Sequence, residues 1–192
     1  MDRMDCPAAT STAASLRPVV FAALFAALTA VGAYVAVPVG PVPIVLQNFF
    51  VMLAGLLLGS RWGVASVGIY LLAGAVGLPV FAGGTGGLAR FAGPTGGFLL
   101  GYLPVVFLVG RIVEGRPPRL WRDLTALVLG SLLLYLCGVS WLKVVTGMSV
   151  SKAIAAGMLP FLPGDGLKVA AAALAARSIR PLLQRQEISP AC

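Results

Sequence analysis

Long apolar runs separated by proline- and glycine-rich junctions limit this chain to one environment. Six of the runs approach the roughly 20 residues that a helix needs to cross the hydrocarbon core of a bilayer. Hydrophobic residues make up 59% of the chain and charged residues only 10%, whereas roughly a quarter of the residues in soluble domains are charged. The sequence therefore predicts an all-α integral membrane protein in contact with the lipid bilayer. Its predicted spans are Pro18–Val37, Ile44–Leu58, Trp62–Val80, Thr95–Val113, Leu124–Leu142 and Gly166–Leu183.

The spans leave no room for a separate aqueous domain. Residues 1–16 are too few to fold alone, so we predict a short cytoplasmic leader there. A single six-helix membrane domain is predicted over residues 17–185, followed by a tail over 186–192. The first run is too long for a signal peptide and further spans follow it, so it is predicted to remain as a helix.

The placement of the basic residues predicts the orientation of the spans. The net charge is +8, but the basic residues form short clusters between apolar runs and match no nucleic-acid motif. With a cytoplasmic N-terminus, ten of the fourteen basic residues fall on the inside, and the outer loops hold only Arg90, Lys143 and Lys152. Since basic residues favour cytoplasmic loops, this bias predicts an N-in, C-in topology with an even number of spans.

Missing residue types exclude several classes of function. The chain has no histidine, which removes His-based metal sites and Ser-His or Cys-His catalysis. Its three cysteines, Cys6, Cys137 and Cys192, are widely spaced and fit neither a disulfide framework nor a zinc site. There is no nucleotide-binding motif. We therefore expect a protein without a metal or cofactor that does not hydrolyse ATP itself.

Alanines recur every four residues in the first span, at Ala22, Ala26 and Ala30 and also at Ala23 and Ala27. Small residues at this spacing allow another helix to approach closely in lipid. The stripe is consistent with packing inside the same subunit and equally with a docking face for a partner.

Arg90 stands in a loop where seven of the fifteen residues from 83 to 97 are glycine, Gly86 and Gly87 among them. Glycine lets a backbone approach a ligand closely, and irregular backbone at membrane depth is tolerated where it lines a cavity. This pattern favours a lid or a wall of a binding site. The alternative is a flexible outer loop whose arginine meets lipid headgroups.

Asp165 and Lys168 are three residues apart and therefore share one face of the sixth span. Aspartate at this point often caps a helix, and the lysine could simply pair with it. Charged groups at membrane depth usually face a cavity or a partner, however, so the pair is also a candidate for binding a polar ligand. Gln47 and Asn48 at the start of the second span are further candidates for the pocket.

Four segments carry a resemblance to a known family. They are residues 41–47 (PVPIVLQ), 77–84 (GLPVFAGG), 93–102 (GPTGGFLLGY) and 161–168 (FLPGDGLK). In this order they resemble the BioY family, the biotin-specific substrate-binding (S) components of energy-coupling factor (ECF) transporters. The GPTGG segment with its upstream arginine is the most specific. Where the family usually has threonine before Leu-Gln, this chain has Val45.

The resemblance implies a bundle of six membrane helices with a biotin pocket near the outer face, in the cytoplasmic membrane of a prokaryote. Arg90, Asp165 and Lys168 occupy the positions of the family's polar binding residues. Asp165 would accept hydrogen bonds from the ureido ring, while the two cations would serve its carbonyl or the carboxylate. The resemblance further implies a transmembrane coupling protein and two ATPase subunits as partners, docked on the alanine stripe.

Two rival functions remain from the sequence alone. A binding subunit for another vitamin, such as thiamine or riboflavin, would share the architecture and differ only in the pocket, although those ligands favour more aromatic residues than the 8% present. A stand-alone secondary carrier could use a carboxylate near a lysine as a proton relay. The remaining spans, however, show no chain of charged residues.

Overall fold

The computed structural model describes residues 9–38 and 41–188, with side chains described for 16–38 and 41–181. Residues 1–8 of the predicted leader and 189–192 of the predicted tail lie outside the described residues. Val39 and Gly40 also lie outside them. The described part is helical apart from one small antiparallel sheet, which confirms the predicted helical fold. Its elements are α1 (Ala9–Tyr34), β1 (Ala36–Val37), β2 (Ile44–Val45), α2 (Gln47–Ala75), α3 (Ala89–Ala92), α4 (Gly96–Val113), α5 (Leu120–Thr146), α6 (Val150–Gly157) and α7 (Leu162–Ile188).

Several of these helices are long and apolar enough to cross a membrane. Four qualify singly among the described residues: Leu16–Tyr34, Gln47–Ala75, Gly96–Val113 and Leu120–Thr146. A fifth is possible if α6 and α7, which meet at an angle of 50°, are counted as one broken span. The protein is therefore a multi-pass membrane protein.

The predicted bounds differ from the observed ones where local chemistry overrides the apolar pattern. The first helix ends at Tyr34 because the chain then pairs as a strand, with Ala36 opposite Val45 and Val37 opposite Ile44. The third predicted span stops at Ala75 and not at Val80, because Gly77 takes a positive φ of 102° that ends the helix. Helices α3 and α6 were not predicted.

The chain reverses direction in the middle of α2. Gly59 has φ 75° and ψ −170°, which is not helical and which favours glycine. A Cβ on Gly63 would lie only 3.5 Å from the Cα of Gly55, although eight residues of straight helix extend about 12 Å. Residues 47–58 and 60–75 are therefore two limbs that fold back on each other, which agrees with the predicted gap between the second and third spans.

The turn at Gly59 is packed directly against α4. A Cβ on Gly110 would lie 2.3 Å from the backbone nitrogen of Ser60, so only glycine fits there. Replacing Gly110 by alanine should lower the free energy of unfolding in detergent by about 1–3 kcal/mol, the usual range for overpacking. A thermal unfolding curve measures this loss. Gly68→Ala is the matched control, because nothing lies within 4 Å of a Cβ there. Equal midpoints for the two variants would contradict the close packing.

One buried ion pair ties three helices together at the same end as the Gly59 turn. Asp123 on α5 is 2% exposed and accepts hydrogen bonds from both terminal nitrogens of Arg180 on α7, at 2.6 and 3.1 Å. One of those nitrogens also donates to the backbone oxygen of Leu56, at 3.0 Å. That oxygen belongs to the last turn before Gly59, where carbonyl groups lack helical partners. Arg180 therefore fastens α5 and α7 to the end of the first limb of α2.

The alanine stripe of α1 faces inward. Ala22 and Ala26 are 1% and 5% exposed, and Ala30 is half-buried. Ala22 and Ala26 therefore pack within the subunit, as the alternative expected, and docking of a partner on this stripe stays a prediction. Among the side chains described in α1, the exposed small residues are Ala23 and Ala27, on the neighbouring side of the helix. Periodicity alone could not show which of the two alanine stripes is buried, since each repeats every four residues.

Candidate functional site

A cavity opens at the end of the molecule opposite the Gly59 turn. Its empty space, counted together with the open solvent at its mouth, is about 820 Å³. Its walls are mainly apolar, and the polar side chains in them come from α2, α3, α4, α5, α7 and the loops before α3 and α4. Its lining includes Val45, Gln47, Asn48, Phe81, Arg90, Phe98, Leu99, Tyr102, Leu134, Tyr135, Phe161, Asp165 and Lys168.

Asp165 is the centre of a hydrogen-bond network in the cavity wall. Its side chain is buried, at 5% exposure. One carboxylate oxygen accepts from the Asn48 amide at 2.9 Å and from the Lys168 ammonium at 2.9 Å. The other accepts from the Tyr135 hydroxyl at 2.6 Å. None of these bonds goes to a backbone N–H at the start of α7, so the capping role considered for Asp165 is wrong.

Lys168 uses its three N–H donors within the protein. Besides Asp165, it donates to the Asn48 side-chain oxygen at 3.1 Å and to the backbone oxygen of Val45 at 2.7 Å. An ammonium group has three donors and no acceptor, so the group is saturated before any ligand enters. The contact at Val45 uses the backbone, and therefore the apolar side chain at this position does not remove it.

Other polar groups in the cavity are left for a ligand. Arg90 is exposed, and its guanidinium makes no hydrogen bond or ion pair with the described residues. The Gln47 amide nitrogen is buried, at 2% exposure for the residue, and has no partner in the described part of the chain. A buried donor without a partner costs free energy, so a ligand that accepts a hydrogen bond from Gln47 would be favoured.

The glycine-rich loop before α4 is closely packed. A Cβ on Gly86 would lie 2.2 Å from the backbone oxygen of Leu78. The Gly87 N–H donates to the backbone oxygen of Gly74 at 2.7 Å. The Trp141 indole donates to the backbone oxygen of Gly93 at 3.0 Å. Gly86 and Gly87 thus shape the loop that carries Arg90 and do not themselves line the cavity.

The structure brings most of the predicted site residues together. Arg90, Asp165, Lys168, Gln47 and Asn48 line the same cavity, and the glycines do not. Whether the five bind a ligand stays a prediction. Among the described residues no group of three or more His, Cys, Asp or Glu could hold a metal ion.

Two tyrosines in the cavity wall were not predicted from the sequence. Tyr102 and Tyr135 were not recognised, because aromatic residues in membrane helices more often serve as interface anchors. Interface anchors lie near the ends of membrane spans, whereas both tyrosines lie well inside their predicted spans. This difference could have identified them as residues of the interior.

Comparisons with known proteins match one and the same family along most of the chain. The BioY family model matches residues 7–185. The probable biotin transporter BioY of Pyrococcus horikoshii is 43% identical over 158 residues, which cover 82% of this chain and 93% of the relative. The biotin transporter BioY of Thermotoga maritima is 40% identical over 167 residues, covering 87% and 98%. A crystal structure of the S-component for biotin from an ECF-type ABC transporter is similar with a TM-score of 0.81 and 30% identity, covering 87% of this chain and 92% of that one.

Proposed function

Because this chain belongs to the BioY family, we propose that it captures biotin and delivers it as the S component of an ECF transporter. The observation that carries the proposal is the match over residues 7–185, which includes every polar residue of the cavity. The chain is a transporter subunit and not an enzyme. The other vitamins and the secondary carrier considered from the sequence are not favoured by any of the relatives.

The chemistry of the cavity suits the two ends of biotin. Its ureido ring offers two N–H donors and one carbonyl acceptor, and its aliphatic tail ends in a carboxylate. The ureido N–H groups would reach the carboxylate of Asp165, which is buried, while the Gln47 amide nitrogen would donate to the ureido carbonyl. The fused ring and tail would lie against the apolar walls at Phe81, Phe98 and Phe161, as apolar ligand surface usually does.

The two cations differ in what they can offer. The Lys168 ammonium donates its three hydrogen bonds to Asp165, Asn48 and Val45. Arg90, in contrast, is exposed and has no partner in the described residues. A guanidinium binds a carboxylate through two parallel hydrogen bonds. We therefore assign the biotin carboxylate to Arg90, and to Lys168 the task of holding Asp165 in place.

Equilibrium binding of labelled biotin to the purified full-length chain tests the function. Unlabelled biotin should displace the label, and thiamine and riboflavin should not. Displacement by either of the other vitamins would replace the biotin assignment with that vitamin. A folded preparation that binds none of the three would contradict the proposed function and return the secondary carrier to consideration.

Replacing Arg90 by alanine should weaken biotin binding about 10-fold, because a hydrogen bond to a charged group contributes about 1.5–3 kcal/mol. The amide of biotin, which lacks the carboxylate charge, should bind the wild type and the variant equally. Titration of both ligands on both proteins measures the difference. Lys143→Ala, which removes another exposed cation, is the control and should change neither affinity. An equal loss for biotin and its amide would contradict the assignment of the carboxylate to Arg90.

We further propose six spans with both termini in the cytoplasm of a prokaryote. The reversal at Gly59 supports counting the limbs of α2 as two spans, which with α1, α4, α5 and the bent α6–α7 pair make six. The arginines near the Gly59 turn would then lie on the cytoplasmic side. Labelling of single cysteines introduced at Arg61 and Lys152 from outside intact cells should modify only the second.

The same proposal includes a transmembrane coupling protein and two ATPase subunits as partners. The relative of known structure comes from an ECF-type ABC transporter, and the present sequence contains no nucleotide-binding motif. The exposed face of α1 around Ala23 and Ala27 is the candidate contact, because small residues permit close helix approach. Uptake of biotin by cells should then stop when the ATPase subunits are removed, while binding to the purified chain remains.

A further inference from the structure

The end of the molecule around the Gly59 turn carries arginines without lysines. Besides Arg17 on α1, seven described arginines lie there, against two acidic residues, Glu114 and Asp123. Asp123 is already bound to Arg180, and Glu114 accepts a hydrogen bond from Ser60 at 2.6 Å. The seven are Arg61, Arg111, Arg116, Arg119, Arg122, Arg177 and Arg180.

Arg61 and Arg111 are neighbours in this cluster. The backbone of Ser60 contacts Gly110 so closely that a Cβ on the glycine would lie 2.3 Å from the Ser60 nitrogen. Arg61 follows Ser60 and Arg111 follows Gly110. The two arginines are therefore attached to backbone segments that are in contact. Both are exposed, and neither makes a hydrogen bond or ion pair within the part of the chain that the structure describes.

The residues around this pair are those of a membrane–water boundary. Trp62 follows Arg61 directly, and Trp121, between Arg119 and Arg122, is 78% exposed. Tryptophan is enriched at the level of lipid headgroups. Headgroup phosphates are therefore the groups that we expect next to this end of the protein.

We propose that Arg61 and Arg111 together bind the phosphate of an anionic phospholipid. Orientation of the spans requires only positive charge, which lysine supplies equally well. A guanidinium, in contrast, matches the geometry of a phosphate with two parallel hydrogen bonds and is less strongly hydrated than an ammonium group. Two such groups on adjoining backbone, unpaired and at headgroup depth, form a site that selects anionic over zwitterionic lipid.

Native mass spectrometry of the full-length chain, released from nanodiscs of mixed phosphatidylcholine and phosphatidylglycerol, tests the proposal. The wild type should retain phosphatidylglycerol in preference to phosphatidylcholine. Arg61→Gln/Arg111→Gln should weaken that preference about 30-fold, since each basic residue near an anionic surface contributes about a 5-fold effect. Arg61→Lys/Arg111→Lys keeps the charge but should still lower the preference for phosphatidylglycerol several-fold, because an ammonium group cannot make the two parallel hydrogen bonds of a guanidinium.

The control removes the same charge elsewhere. Lys143→Gln/Lys152→Gln, both exposed, should leave the lipid preference unchanged. Biotin binding should be equal in all variants, which verifies folding independently of lipid. Equal retention of both lipids by the wild type, or full retention by Arg61→Gln/Arg111→Gln, would overturn the proposal. Unchanged lipid retention with a loss of co-purifying coupling protein would identify the pair as a protein contact instead.

Discussion

Replacing Asp165 by asparagine is expected to weaken biotin binding by about 100-fold or more. The carboxylate holds Asn48, Lys168 and Tyr135 at distances of 2.6–2.9 Å. An amide cannot accept all of these bonds, and Lys168 loses its counter-charge. Removing one member of a buried, hydrogen-bonded charge pair typically costs about 2–5 kcal/mol, and about 1.4 kcal/mol corresponds to a factor of ten.

Titration of labelled biotin on the purified variant measures this effect. Glu114→Gln makes the same chemical change at an exposed carboxylate far from the cavity and should leave the affinity unchanged. An unfolding midpoint for Asp165→Asn near that of the wild type would separate loss of the ligand contact from loss of the fold. Wild-type affinity in Asp165→Asn would show that the network is only structural.

Replacing Asp123 by alanine is expected to lower the free energy of unfolding by about 3–5 kcal/mol. Arg180, whose side chain is 14% exposed, would remain beside α5 without its carboxylate, and an uncompensated, largely buried charge is strongly destabilising. The midpoint of thermal unfolding in detergent should fall by roughly 10 °C for a chain of this size. Biotin binding at low temperature should persist, because the pair lies at the end opposite the cavity.

A double substitution distinguishes the cause. Asp123→Leu/Arg180→Met removes both charges and should recover most of the lost stability, as apolar replacement of buried ion pairs often does. Arg177→Met is the control, since this arginine is on the same helix, exposed and unpaired among the described residues. If the double variant were as unstable as Asp123→Ala, the unpaired arginine could not be the reason for the loss.

The fold could be predicted from the sequence wherever one physical cause decided the outcome. Hydrophobic length identified the helices, and the gap between Leu58 and Trp62 anticipated the reversal at Gly59. The stripe of Ala22 and Ala26 was consistent with both internal packing and docking, because lipid and the interior of a membrane protein are both apolar. No hydrophobic pattern can then tell the buried side of α1 from the exposed side.

The candidate site could be predicted only in part, because some of its contacts join residues that are far apart in the sequence. Asp165 and Lys168 are three residues apart, so their proximity follows from helix geometry. Tyr135 and Asn48 reach the same carboxylate from 30 and 117 residues away, which no local pattern contains. The resemblance to a family supplied Arg90, and the saturation of Lys168 became visible only from the distances.

The short first limb of α2 sets how deep a ligand is held. Residues 47–58 extend about 18 Å along a helix axis, while the hydrocarbon core of a bilayer is about 30 Å thick. With the Gly59 turn at one boundary, the cavity above Gln47 occupies much of the remaining depth. In the proposed topology a ligand there would lie below the headgroups, in a region of low dielectric constant where each charge and hydrogen bond acts more strongly than in water. A few polar side chains can therefore be sufficient to hold a small polar molecule.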